Sequence, residues 1–223
     1  VTGVQTCALP IYYPVGCKRI LFADDFYPAL MRDNVTLETD AIARITPAGI
    51  ETKAGTLHEV DVIIYATGFE TTGWKWSMDI VGKNGVHLND LWADHPEAYL
   101  GITVTGFPNM FVLYGPNTNL GHNSITFMLE RQVEYAVKAM TAMREQHLAS
   151  LEVTKAAQDA FNTRLQGDLS KTTWADPHCK SWYKTADGRI TQNWGSHTRD
   201  YAAAVAELTL NDYVARPLAN AAE

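Results

Sequence analysis

The chain is poor in cysteine, and the three it has, Cys7, Cys17 and Cys179, are scattered. An odd, widely spaced set gives no disulfide framework and points to a reducing, cytoplasmic setting. A thiol redox enzyme needs a close cysteine pair, and there is none. The 15 glycines never fall two positions apart, so G-x-G-x-x-G and its dinucleotide turn are absent. Gly82-Lys83 has no glycine five positions earlier, which removes a phosphate-binding P-loop. No serine sits in G-x-S-x-G, so there is no nucleophile elbow. The seven histidines are dispersed, and the adjacent pair His178-Cys179 lacks the supporting spacing of a zinc site. A net charge of -7 with no Lys/Arg block argues against nucleic acid as a partner. No apolar run approaches the roughly 18 to 20 residues of a membrane span. The start has no basic segment ahead of its apolar letters, so it does not read as a secretory signal.

What remains is an ordinary globular balance: 223 residues, 46% hydrophobic and 19% charged, enough for one or two domains. The opening VTGVQTCALPI carries no charge and no apolar period. One codon choice for it resembles a sequencing-library adapter read in frame. Residues 1–11 are therefore set aside from fold reasoning, and the native polypeptide is expected to begin near Tyr12, in mid-gene.

Residues 20–70 are β-prone. Short runs at Ile20–Ala23, Val35–Glu38, Ala41–Ile45 and Gly49–Thr52 are broken by Asp, Asn, Pro and Gly. In HEVDVIIYATGF, residues 60–65 form a near-continuous apolar run, which suits a strand covered on both faces, as in a parallel sheet. It ends on Ala66, Thr67 and Gly68, small residues where ligands of open α/β sheets bind. AYLGITVTGF and NMFVLYG read as further strands, and PNTNLGHNS leads into a long helix over 124–147. There Ile125, Met128, Leu129, Val133, Ala136, Val137, Met140 and Met143 recur at three and four, predicting one apolar face. Glu134 and Lys138 are spaced to pair, and Asn123 or Ser124 suits the N-cap. A second helix is predicted over 153–169, a turn-rich stretch at WYKTADGRITQNWGS, and a short helix over 199–208.

Four strings in order, YPVGCKR, DVIIYATGF, GFPNMFVLYGPNTNLGHNS and KSWYKTADGRITQNW, together resemble the Baeyer–Villiger type of class B flavin-dependent monooxygenase. The resemblance runs from Tyr12 to about Trp194. It implies an α/β fold: the C-terminal portion of an incomplete flavoprotein with two Rossmann-like dinucleotide-binding domains. Residues 12–68 match the last part of the NADPH domain, and 69–223 match the returning part of the FAD domain. Both glycine fingerprints would lie upstream, in a missing N-terminal part of the same chain.

The implied activity uses FAD and NADPH. One oxygen atom of O2 is inserted beside a carbonyl through a C4a-peroxyflavin, turning a ketone into an ester or lactone. By the resemblance Arg19 is catalytic, since a guanidinium keeps its charge and can stabilise peroxide and oxyanion. Lys18 holds the 2′-phosphate of NADPH as a point charge. Thr67 and Gly68 lie close to the cofactors. Asn119, Leu120 and Gly121 lie against the flavin ring, where a helix N-terminus favours negative charge. Trp182 lies near the nicotinamide cofactor, and His122 is a loop histidine. N- or S-oxygenation is the alternative within this chemistry. The rivals outside it are an incomplete chain that is inactive, with unpaired sheet edges, and a self-contained binding module that shares only the ATG turn.

Overall fold

The computed structural model describes residues 13–19, 22–68, 77–93, 95–121 and 123–218. The VTGVQTCALPI segment, Ile20 and Leu21 of the first expected strand, and His122 lie outside them. The chain divides into two compact units, Ile20–Glu70 and the remainder.

The smaller unit opens on a one-turn helix, α1 (Phe26–Leu30), followed by β1 (Ile42–Thr46), β2 (Gly49–Thr52) and β3 (Leu57–Glu59). These strands form an antiparallel meander in the order β1-β2-β3. Gly49 sets the register. Its φ is 150°, and a Cβ there would sit 2.0 Å from the His58 carbonyl oxygen. Only glycine lets β3 come this close. Two expected strands are not formed. Val35–Glu38 is irregular, and the apolar run of residues 60–65 pairs with no strand among the described residues. Val62, Ile64 and Tyr65 are 75%, 86% and 69% exposed. Such a run needs cover on both faces, and the described residues supply none. None of the buried apolar side chains among the described residues belongs to this unit.

The larger unit holds α2 (Leu88–Leu91), α3 (Ile125–Glu145), β4 (Leu148–Val153), α4 (Lys155–Leu169), α5 (Thr198–Ala204) and β5 (Tyr213–Pro217). Ser124 caps α3 by accepting the Phe127 N–H, and Thr154 caps α4 by accepting the Ala157 N–H. The strands β4 and β5 pair antiparallel, a contact with no strong local signal. The buried face of α3 is rotated from the expected stripe. It carries Met128, Gln132, Tyr135, Ala136 and Ala139, while Val133, Val137 and Met140 are exposed. Gln132 and Tyr135 go inward because their polar ends find partners: Gln132 Nε2 donates to Tyr201 Oη at 3.0 Å, and the Tyr135 and Tyr213 hydroxyls meet at 2.8 Å. Glu134 pairs with Arg131 at 2.7 Å rather than with Lys138, whose Nζ donates to the Ala206 carbonyl.

Residues 98–115 are turns, not the two strands expected, with only the isolated bridge Tyr99↔Thr103. Ile102, Val104 and Val112 are apolar because they are buried, not because they are paired. The main core joins Leu120, Met128, Tyr135, Phe161, Leu165 and Tyr201; a second cluster gathers Leu88, Trp92, Val104 and Phe107.

Candidate functional site

Residues 13–19, the YPVGCKR string, lie pinned on the larger unit. Cys17 is bonded to Cys179, with a Cα–Cα distance of 5.4 Å. This overturns the expectation of scattered, unpaired cysteines: 162 positions separate them, so nothing local in the sequence announces the pairing. Beside it, Trp174 Nε1 donates to the Gly16 carbonyl at 3.1 Å. Two residues further on, Arg19 Nη2 donates to the Leu120 carbonyl at 3.3 Å. Among the described residues Arg19 makes no ion pair, and its side chain is exposed. A permanently charged fork thus keeps most of its donors uncommitted.

The Leu120 carbonyl is rigidly held. Asn119 donates its N–H to the Gln192 carbonyl at 2.9 Å and accepts the Trp194 N–H at 2.9 Å. Its side chain accepts from Tyr114 Oη and donates to Asn193 Oδ1, both at 2.8 Å. Asn119 is 3% exposed and Leu120 is fully buried. Burial raises the Tyr114 phenol above its ordinary value, and the nearby Arg19 guanidinium pulls it the other way. Gly121 is exposed, and a Cβ there would meet Trp174 at 3.4 Å, an ordinary contact. Four residues on, α3 begins. Its capped amide is that of Phe127, which leaves Ile125 and Thr126 without intrahelical acceptors. Gly121 also lines a cavity of about 500 Å³ with Gly16, Trp174, Trp194, Lys171 and His197.

Lys18 has its Nζ 4.8 Å from the centroid of the Tyr13 ring. With His178 and Lys180 it lines a cleft of about 330 Å³. Trp182 is 45% exposed, with its ring centroid 4.4 Å from that of Tyr183. Lys18, Arg19, Asn119, Leu120, Gly121 and Trp182 therefore share one unit. Thr67 and Gly68 belong to the other and are exposed, Gly68 with φ 78°. Among the described residues no cluster of three or more His, Cys, Asp or Glu could hold a metal ion.

Comparison with known proteins bears on this arrangement. No family model matches the chain. The FAD-binding monooxygenase ktnD of Aspergillus niger is 40% identical over 214 residues, 94% of this chain and 35% of its own length. A Baeyer–Villiger monooxygenase of Pseudomonas aeruginosa is 40% identical over 202 residues, 90% of this chain and 38% of its own. Among solved structures, oxidized steroid monooxygenase bound to NADP superposes with a TM-score of 0.81 at 27% identity, over 92% of this chain and 40% of that one. The chain is homologous to a stretch of the Baeyer–Villiger monooxygenases. OTEMO in complex with FAD and NADP agrees, with a TM-score of 0.79 at 33% identity over 95% of this chain and 40% of that one. The chain thus spans well under half the length of the relatives it matches. Among the described residues no helix is long and apolar enough to cross a membrane.

Against the residues expected from the resemblance, the structure adds Tyr114, Trp174 and the Cys17–Cys179 pair to the surroundings of Arg19. Tyr114 sits inside a string already singled out, but its φ of 62° and its bond to Asn119 have no local signature.

Proposed function

We propose that this sequence forms part of an FAD- and NADPH-dependent Baeyer–Villiger monooxygenase acting in the cytoplasm, and that the 223-residue chain alone does not turn over. The observation that carries the reading is Arg19: an exposed guanidinium with no carboxylate partner among the described residues, hung from a backbone carbonyl that a buried amide network fixes. Residues 12–68 would belong to the NADPH-binding domain and residues 69–223 to the FAD-binding domain.

The residues fit an anionic dinucleotide cofactor. Arg19 and Lys18 offer positive charge that no carboxylate neutralises among the described residues, Gly121 presents bare backbone, and the first amides of α3 have no intrahelical acceptor. FAD, reduced by NADPH, supplies the oxygen-activating chemistry when bound. The protein's share is placement and charge. Arg19 cannot lose its proton at working pH, so it stays available to stabilise negative charge developing on the carbonyl oxygen of a ketone. Tyr114, Asn119 and Asn193 keep the Leu120 carbonyl still, and with it the guanidinium. Lys18 would take a phosphate as a point charge. Exposed Trp182 would offer a flat apolar face to the nicotinamide. Thr67 and Gly68, small and exposed, would let cofactor and backbone come close.

The test uses both the 223-residue chain and a protein extended upstream to the relatives' length. With FAD, NADPH, O2 and a ketone, only the longer protein should retain flavin and release ester or lactone. Arg19→Ala in it should keep FAD bound and lose about 10²-fold or more of the oxygenation rate, as for removal of a charge-stabilising donor. Undiminished ester formation by Arg19→Ala would refute the role given to Arg19. Oxidation of amines or sulfides without ester would move the protein to heteroatom oxygenation.

A further inference from the structure

We propose that Cys17 and Cys179 form a reversible thiol–disulfide site that decides whether Lys18 and Arg19 stay docked on the larger unit. Its meaning for catalysis rests on the role given above to Arg19; the docking itself does not.

Cys17 directly precedes the two cations, and residues 13–19 are otherwise held by few bonds. Trp174 Nε1 donates to the Gly16 carbonyl at 3.1 Å, and Arg19 Nη2 donates to the Leu120 carbonyl at 3.3 Å. Tyr13, Val15, Gly16, Lys18 and Arg19 are exposed; Cys17 alone in this segment is buried. With the disulfide formed, the backbone at Cys17 is covalently fixed one residue from Lys18 and two from Arg19. With it open, two hydrogen bonds to the larger unit remain among the described residues, and one of them is made by Arg19 itself.

The chemistry around the sulfurs suits exchange. Thiol–disulfide exchange proceeds through the thiolate, which neighbouring cations favour. Lys18 and Arg19 follow Cys17, and His178 and Lys180 flank Cys179. Asp176 is the opposing charge, and it is engaged by the His178 N–H at 2.7 Å and the His178 ring at 3.1 Å. Both cysteines are fully covered, so a reagent reaches the disulfide only through local opening of the residues packed around it. That makes the site slow to open, and responsive to a small dithiol rather than to a protein.

The redox step balances. One thiolate attacks the terminal oxygen of a hydroperoxide: the O–O bond breaks, that hydroxyl joins sulfur as a sulfenic acid, and the other oxygen leaves with a proton as water or alcohol. The second thiol displaces the sulfenic hydroxyl as water and forms the S–S bond. A dithiol reductant reverses this by attack through a mixed disulfide, giving two thiols and its own cyclic disulfide.

Trypsin reads the docking without flavin. The 223-residue chain carrying Cys7→Ser, so that only the pair titrates, is treated with hydrogen peroxide or dithiothreitol. Free thiols are counted, and cleavage after Lys18 and Arg19 is followed by mass spectrometry, with Arg44 in β1 as internal reference. The peroxide-treated chain should show no free thiol and slow cleavage. Reduction should expose both thiols and speed cleavage about tenfold or more relative to Arg44, reversibly on reoxidation. Cys179→Ser should cleave at the fast rate under both conditions; should that variant not fold, the redox cycle on the parent chain decides by itself. Thiols that stay free after peroxide, or equal cleavage in the two states, would overturn the proposal. Loss of the flavin reading would leave these outcomes unchanged, since no cofactor is present.

Discussion

Arg19 shows how one side chain can be legible in chemistry yet not in place. Its guanidinium is visible in YPVGCKR, but the carbonyl that aims it belongs to Leu120, 101 positions away. Asp187 teaches the same lesson in a loop. Its carboxylate accepts from Thr185 Oγ1 and, at 2.7 Å, from His95 Nε2, and these bonds hold it down to about 2 from an ordinary 3.8. The local Thr185 bond is readable from the turn-rich TADGR; the His95 bond, 92 positions away, is not. Because the folded value is depressed, the carboxylate's contribution to stability is present above pH 3.8. It is lost as pH falls from there toward about 2. Asp187→Ala should therefore lower the thermal midpoint at neutral pH, with the gap to the parent closing through that acid window. The group is exposed and salt screens it, so the gap should also shrink in 1 M salt. A gap that widened with acid would assign Asp187 the opposite sign.

At the scale of elements, local signals reached the helices and stopped at the loops that hold the site. The 3.6 period and a serine cap gave α3 nearly to the residue, Ile125–Glu145 against an expected 124–147. The same period misplaced its buried face, because hydrophobicity alone cannot foresee that Gln132 and Tyr135 find polar partners inside. Residues 98–115 read as strands and fold as turns. The reason is visible at Gly101, whose φ is 70° and whose carbonyl oxygen would lie 2.3 Å from a Cβ at Gly115. A Cβ at Gly101 would in turn lie 2.1 Å from Thr118 Cγ2 and 2.8 Å from the Pro116 carbonyl oxygen. Two backbones touch here, just ahead of Asn119 and Leu120, and the positive φ at Gly101 is not one that an extended strand adopts. Gly101→Ala should cost on the order of 3 kcal/mol, from overpacking and a disfavoured backbone together. Denaturant unfolding measures it, and Gly188→Ala is the control. Gly188 has a similar φ of 93° but open space around its Cβ. The control should lose only the backbone part, about 1 kcal/mol. Equal losses would mean that close contact at Gly101 contributes nothing.

For the whole chain the two units differ in kind. The larger closes a core around Leu120, Met128, Phe161 and Tyr201; the smaller buries no apolar side chain among its described residues. Its antiparallel meander satisfies backbone groups, but β-sheet ribbons of this size need an apolar face covered to be stable. The DVIIYATGF run carries the hydrophobicity for such cover, and its near-continuous apolar pattern reads as a strand buried on both faces. Here Ile64 is 86% exposed. A run of this composition, extended and unpaired, is a template for intermolecular pairing. Ile64→Lys separates the two settings. In the 223-residue chain it should leave unfolding within about 0.5 kcal/mol of the parent, as for other surface changes, while light scattering on concentration falls. In a protein of the relatives' length, where we propose that the run is covered on both faces, the same lysine should be buried without a partner and should cost about 3 kcal/mol or more. Equal tolerance in both lengths would mean that the run stays exposed in the longer protein, and would remove the reason for assigning residues 60–68 to the interior of a cofactor-binding sheet.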